Sequence, residues 1–273
     1  YKESPNISLL SKEEIIDKVK NAGVVGMGGA GFPTHVKLSP KEPDKIDYII
    51  ANCAECEPYL TSDYRRMMEN PEQLVEGMKI VLQLFPKAKG VFGVENNKKD
   101  CIEKLQEIVK DDPRLEVAEL MTKYPQGGER QLIYAVTGRA INSGMLPADA
   151  GCIVDNVETL VAIYNAVKLG KPVMHRIFTV TGDAVCDPRN FYVCTGMNFQ
   201  DILDAAGGCR TEPEKMIAGG PMMGFALFGL DLPVTKTSSA LLCMTRDEVS
   251  AYAPTPCINC GRCVDACPEL LIP

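Results

Sequence analysis

The chain has only two histidines, His35 and His175, in 273 residues. Two such residues cannot build a histidine-rich metal site or proton relay. No run approaches the roughly 18 consecutive apolar residues of a membrane-spanning helix. Basic residues are in deficit, 29 against 36 acidic, for a net charge of −7 and a pI near 5.1. That balance argues against a nucleic-acid surface as the main role. There is no internal repeat and no low-complexity tract. Twelve cysteines fall well short of the roughly 8–10% of a disulfide scaffold. Scattered thiols in a chain of this size indicate a reducing compartment. No serine or cysteine sits in a triad-like pattern, so no catalytic nucleophile is expected.

What is present describes an ordinary globular chain, 45% hydrophobic and 24% charged. At roughly 100–200 residues per domain it holds one large domain or two modest ones. It opens on Tyr1 rather than Met and reads as a fragment, which leaves an upstream signal or domain open.

Residues 11–22 read as a helix, with Ser11 and Glu14 as a capping box and Gly23 as the stop. A glycine-rich loop follows, from Gly26 to Thr34. Strands are expected at 47–51, 90–94 and 115–118, and helices from Pro71 to about Leu84, at 98–109, 128–136 and 157–167. Alternating strands and helices predict an α/β layer with a mostly parallel sheet. The pattern changes near Lys171-Pro172. Short strands at 177–180, 191–193, 216–218, 225–227 and 240–242 surround one helix at 198–206, which predicts a small sheet of β-grasp type. The expected division is therefore 1–170 (α/β), 171–250 (β-grasp) and 251–273 (a cysteine cluster).

Cys257-x2-Cys260-x2-Cys263-x3-Cys267-Pro268 is the bacterial ferredoxin spacing for a 4Fe-4S cluster. Three thiolates at that spacing wrap one face of a cubane. The fourth either closes the same cluster or ligates another, whose motif would lie beyond Pro273. Four thiolates also suit structural zinc, the competing reading. Pro254-Thr255-Pro256 reads as a stiff lead-in.

Gly26-x-Gly28-Gly29-Ala30-Gly31 follows a helix rather than a strand, unlike a Rossmann fingerprint. Its glycines still allow the backbone to approach a flat ring or a phosphate, with exposed amides as an anion nest. Lys37 follows it. Asn52-Cys53-Ala54-Glu55-Cys56-Glu57-Pro58 follows a strand end, where α/β sheets place ligands. Tyr124-Pro125-Gln126-Gly127-Gly128-Glu129-Arg130 leads into a helix N-terminus, and Asp155-Asn156-Val157-Glu158-Thr159 caps another.

Taken together, these segments resemble the flavin-binding module of the NADH-oxidising subunit of respiratory complex I. In that family a GxGGAGFPTxxK loop, an N-x-x-E-x-E-P segment, a tyrosine and glycine-glutamate turn and an N-V-E-T-L helix start surround FMN. The chain is more closely similar to the RnfC family, which serves the Rnf ion-pumping electron-transfer complexes. That similarity runs on through Thr179 to Val185 and Gly219-Gly220-Pro221-Met222-Met223-Gly224, and spans about residues 11–273.

The resemblance implies an FMN-binding α/β domain of complex I flavoprotein type, then a soluble-ligand-binding β-grasp domain, then a ferredoxin-type segment. It implies that Gly26, Gly28, Gly29 and Gly31 back onto FMN. Asn52, Glu55, Tyr124, Gly128 and Asn156 would hydrogen-bond the flavin, beside Glu129. Lys37, Phe32 and Glu57 would face NAD(H). His35, in the same loop, is a weaker candidate for ligand contact. Two departures fall where the dinucleotide would sit: the complex I module has an aspartate at Ala54 and a glutamate at Arg130. Arg130 suits a phosphate instead.

The β-grasp domain is expected to act as a scaffold between flavin and cluster, with Met222-Met223 in its core or an interface. Cys53 and Cys56 are read as packing residues. The implied function is electron transfer between NAD(H), FMN and 4Fe-4S clusters. The implied partners are other Rnf subunits and, indirectly, ferredoxin, on the cytoplasmic side of the membrane and touching it only through those subunits. The alternatives are a soluble relative (a cobalamin reductase or amino-acid reductase partner) and a non-enzymatic ligand-binding scaffold with structural zinc.

Overall fold

The computed structural model describes residues 3–4, 6–247, 255–267 and 271–272. Pro254 and Pro268, named in the cysteine reading, lie outside them. Helix α1 (Lys12–Asn21) begins with the expected box, Glu14 N–H on Ser11 and Ser11 N–H on Glu14. Gly23 then turns the chain at φ +66°. The elements continue as α2 (Thr34–Lys37), β1 (Tyr48–Cys53), α3 (Ser62–Glu69), α4 (Pro71–Leu84), β2 (Lys89–Glu95), α5 (Lys99–Val109), β3 (Leu115–Leu120), α6 (Glu129–Thr137), β4 (Cys152–Asn156) and α7 (Val157–Lys168). Strands β3-β2-β1-β4 form one sheet, every pair parallel. β1 and β2 are almost wholly buried, as crossover helices on a parallel sheet require.

Three elements here were not anticipated, the one-turn helix α2 among them. Strand β4 is a five-residue run whose apolar signal is little more than Ile153-Val154, and pairing with β1 makes it a strand. Helix α3 buries only Ser62 and Met67 and lacks a local side-chain cap. Its N-terminus is served instead by a carboxylate upstream, described below.

The second sheet comprises β5 (His175–Thr181), β6 (Arg189–Cys194), β7 (Lys215–Ala218), β8 (Phe225–Leu227) and β9 (Ala240–Met244), in the order β6-β5-β9-β7-β8. First strand β5 runs parallel to last strand β9, and the other pairs are antiparallel. With the single helix α8 (Phe199–Ala205) this is the expected β-grasp arrangement. The first sheet has an apolar core on each face, one around Phe92, Leu74 and Ile163 and a smaller one around Ile50, Leu132 and Val154, and the second sheet has its own around Phe178, Phe199 and Leu241. Hydrogen bonds cross the seam between the two sheets' units. Exposed His175 stacks on Tyr192, ring centroids 4.8 Å apart. A short helix, α9 (Arg262–Ala266), lies in the cysteine segment.

Candidate functional site

The glycine loop closes on itself: Gly26 N–H donates to Phe32 O (2.8 Å) and Gly31 N–H to Gly26 O (3.1 Å). From α7, the Thr159 hydroxyl accepts Met27 N–H at 2.9 Å, a buried bond. A Cβ at Gly28 would sit 3.0 Å from Asn156 Cβ, so a side chain there would push the loop off β4. Among the described residues, the amides of Gly28, Gly29 and Ala30 find no protein acceptor. They are the free donors an anion nest needs.

Asn52 and Asn156 stand at the C-terminal ends of β1 and β4, where parallel sheets place ligands. Asn52 Nδ2 donates to Gly127 O (2.8 Å), tying the strand end to the turn before α6. Asn156 caps α7 by accepting Glu158 N–H (2.9 Å) and donates Nδ2 to Asp63 Oδ2 (2.7 Å). Glu55, at φ +46°, accepts the amides of Asp63 (2.7 Å) and Tyr64 (3.0 Å) and so caps α3 from a distance. Enclosure in protein, and then the Asp63 charge, raise Glu55 to about 8. Enclosure, and then the Glu158 charge, raise Asp63 to about 6.

Glu57 accepts Met222 N–H (3.1 Å) and Met223 N–H (2.7 Å) from the turn between β7 and β8. Gly220 is required there, because a Cβ would collide with Glu57 Oε2. Met222 and Met223 are exposed rather than in a core, and their backbone carries the contact. Lys37 Nζ donates to Val154 O (2.6 Å) and lies 3.2 Å from Asp155 Oδ1. That approach falls short of hydrogen-bond geometry, and both buried Asp155 oxygens lack a hydrogen-bond partner among the described residues. Burial raises Asp155, with Lys37 opposing. Lys98, also buried, donates to the Ala54 carbonyl at 2.7 Å. Arg130 is exposed and donates to Ser143 O at 3.1 Å.

Part of this set borders a cavity of about 500 Å³ walled by both sheets' units. It brings together Gly28, Gly29, Asn52, Glu55, Glu57 and Asn156. Gly26, Gly31, Lys37, Tyr124, Gly128 and Glu129 lie outside its lining, as do Phe32 and His35. Phe32 and Tyr124 are exposed. Half-buried Cys56 lines the cavity and accepts Gly127 N–H at 3.3 Å, while Cys53 is buried.

Sequence reasoning missed Asp63 and Arg176. Asp63 gives no signal without α3. Arg176 is a charged residue beside the apolar run of β5, 2% exposed, and that mismatch was the available clue.

Cys257, Cys260 and Cys263 are exposed, Cys267 is half-buried, and none forms a disulfide. Asn259 N–H donates to Cys257 Sγ at 3.3 Å. Among the described residues no three His, Cys, Asp or Glu side chains converge as a metal site. Four unpaired thiols remain a donor set that suits iron–sulfur chemistry.

A parallel sheet presenting polar groups and free loop amides at its strand ends, walled by a β-grasp sheet, defines an α/β nucleotide-cofactor class. Residues 19–165 match the family model described as the Nuo51 FMN-binding domain, and residues 177–226 match the SLBB domain. The chain belongs to the Nuo51 FMN-binding domain family and carries an SLBB domain after it.

It is 46% identical over 270 residues to the C subunit of the proton-translocating ferredoxin:NAD(+) oxidoreductase complex of Clostridium ljungdahlii, covering 99% of this chain and 59% of that protein. It is 47% identical over 264 residues to the C subunit of the Na(+)-translocating ferredoxin:NAD(+) oxidoreductase complex of Acetobacterium woodii, covering 97% of this chain and 60% of that protein. The chain thus spans about three-fifths of these relatives. An NAD+-reducing [NiFe]-hydrogenase in the air-oxidized state shares the fold, with TM-score 0.74 and 23% identity over 88% of this chain and 48% of that one. The H2-reduced state gives TM-score 0.72 and 23% identity over 85% and 47%.

Proposed function

We propose that this chain is the electron-transfer part of an RnfC-type protein, passing electrons between NAD(H), FMN and 4Fe-4S clusters. The observation that carries the reading is 46–47% identity, across 97–99% of the chain, to the C subunits of two ion-translocating ferredoxin:NAD(+) oxidoreductase complexes. Other subunits of such a complex are then its partners, with ferredoxin indirect. Among the described residues no helix is long and apolar enough to cross a membrane. The reading therefore places membrane contact in partner subunits, at the cytoplasmic face. The functional division is 1–170 for flavin and dinucleotide, 171–250 for the β-grasp scaffold and 251–273 for the cluster.

The donor set fits FMN. The loop from Gly26 to Gly31 offers free amides at Gly28 and Gly29, and Gly28 lies against Asn156 where a Cβ would intrude. Asn52, Glu55, Asn156, Tyr124, Gly128 and Glu129 are assigned to the flavin, and Lys37, Phe32 and Glu57 to the dinucleotide. Flavin, when bound, would supply a two-electron acceptor for one hydride that can release its electrons singly, matching a two-electron donor to one-electron clusters. The protein's own contribution is position and dryness. Asn52 and Asn156 are locked by their bonds to Gly127 and Asp63, so their geometry is set before a ligand arrives. Glu55 can hold a proton at neutral pH beside the same cavity. Cys257, Cys260, Cys263 and Cys267 are assigned to the cluster.

Anaerobic purification, metal and acid-labile sulfide analysis, and titration with NADH test this reading. The expected result is iron, sulfide and a flavin band that bleaches together with a broad iron–sulfur band. Zinc without iron or sulfide overturns the redox assignment. Bound flavin that ignores NADH overturns the Rnf assignment in favour of a soluble relative whose donor site is retuned at Ala54 and Arg130.

A further inference from the structure

The β-grasp unit does more than lie beside the glycine loop. Arg176, on β5, crosses the seam and donates Nη1 to the carbonyl of Met27 in that loop (2.8 Å) and to Lys236 O in its own unit (2.6 Å). Lys236 Nζ in turn donates to Gly23 O at 2.6 Å, at the start of the loop. Thr237 lies against Gly31, where a Cβ would be 2.9 Å from its Cγ2. The loop is thus gripped at both ends and in the middle by one short segment and one buried guanidinium.

The charge of Arg176 is kept in place by Glu158 and Asp63, which oppose the cost of its burial. On the other side, the Met27 amide is held by Thr159. A trans peptide is planar, so its C=O and the following N–H point opposite ways. Fixing the Met27 carbonyl on Arg176 therefore fixes the direction of the Gly28 amide, one of the loop donors without a protein acceptor among the described residues.

We propose that Arg176, assisted by Lys236, is a positioning residue that orients the Gly28 amide for the flavin, so that the β-grasp unit is a structural part of the flavin site. This rests on the FMN reading of the loop, but its physical content is separable from it. In the absence of these grips the three glycines between 26 and 29 would leave the backbone free to sample other conformations, and an anion nest works only when pre-formed.

The test compares Arg176→Met, Arg176→Lys and Lys236→Met with Arg114→Met. Arg114 also binds backbone carbonyls, those of Leu82, Phe85 and Ala88, away from the loop. Two readouts are taken on the full chain: amide hydrogen exchange of residues 23–33 without ligand, and FMN affinity by fluorescence quenching. Arg176→Met should speed exchange in the loop and weaken FMN by about tenfold, the loss of roughly one charge-assisted hydrogen bond. Arg176→Lys should recover part of the affinity. Arg114→Met should lower thermal stability yet leave loop exchange and FMN affinity unchanged. Unaltered loop exchange and FMN affinity in folded Arg176→Met overturns the proposal. If that variant does not fold, Lys236→Met decides: faster loop exchange supports the proposal, and unchanged exchange overturns it. A wild-type chain that binds no FMN would instead defeat the flavin reading, while the exchange data still judge the grip.

Discussion

Glu55 shows how one side chain serves two levels of structure. Its oxygens satisfy two amides of α3, and its carboxyl borders the cavity. Because Glu55 is raised from 4.5 to about 8, the native state keeps a proton that the unfolded chain releases. Between about pH 5 and 8 the native state binds more protons, so this group's contribution makes stability fall as pH rises. Asp63, raised to about 6, adds a fall of the same sign at the lower end of that window. Glu55→Gln should flatten the decline in thermal midpoint from pH 5 to pH 8. An unchanged slope would mean that Glu55 does not hold its proton. The sequence marks Glu55 through its N-x-x-E-x-E-P setting. Its role as a remote cap was not legible, since nothing local links residue 55 to amides eight and nine positions on.

At the scale of the element, helices with a local signature are legible from the sequence. Ser11 with Glu14, Pro71 as first residue and Asn156 as cap are all local chemistry, and those helices begin where these residues stand. Elements defined by a neighbour are not, as α3 and β4 show. Packing between α4 and α7 adds a further case. Gly77 lies against the α7 backbone, where a Cβ would collide with Leu160 O. Gly77→Ala should cost about 3 kcal/mol as the helices are forced apart, despite the better helix propensity of alanine. Urea denaturation measures it, and a neutral or stabilising result would show that the helix pair gives way freely.

Across the whole molecule, the apolar cores of the two sheets are bridged by hydrogen bonds. Besides Arg176 and Lys236, the seam holds Asn190 on the Thr61 hydroxyl (2.9 Å) and Glu57 on the amides of Met222 and Met223. Cores joined chiefly by hydrogen bonds are expected to unfold as coupled but separable units. Calorimetry of Glu57→Ala should therefore split or broaden the unfolding transition relative to the wild-type chain. A single sharp peak at lower temperature would instead mean that the two sheets' cores are one cooperative unit.

The same seam divides what the sequence determined from what tertiary structure decided. Periodicity, caps and glycine placement are properties of neighbouring residues, and they sufficed for three of the four strands of the parallel sheet, the β-grasp sheet and the glycine loop. The ferredoxin spacing is local in the same sense. The cavity is not local. Arg176 reaches the loop across 149 positions of chain, and Glu57 reaches the Met223 amide across 166. Pairings at such separations leave no trace in spacing. They are selected when the two sheets pack and buried donors such as Arg176 Nη1 find acceptors.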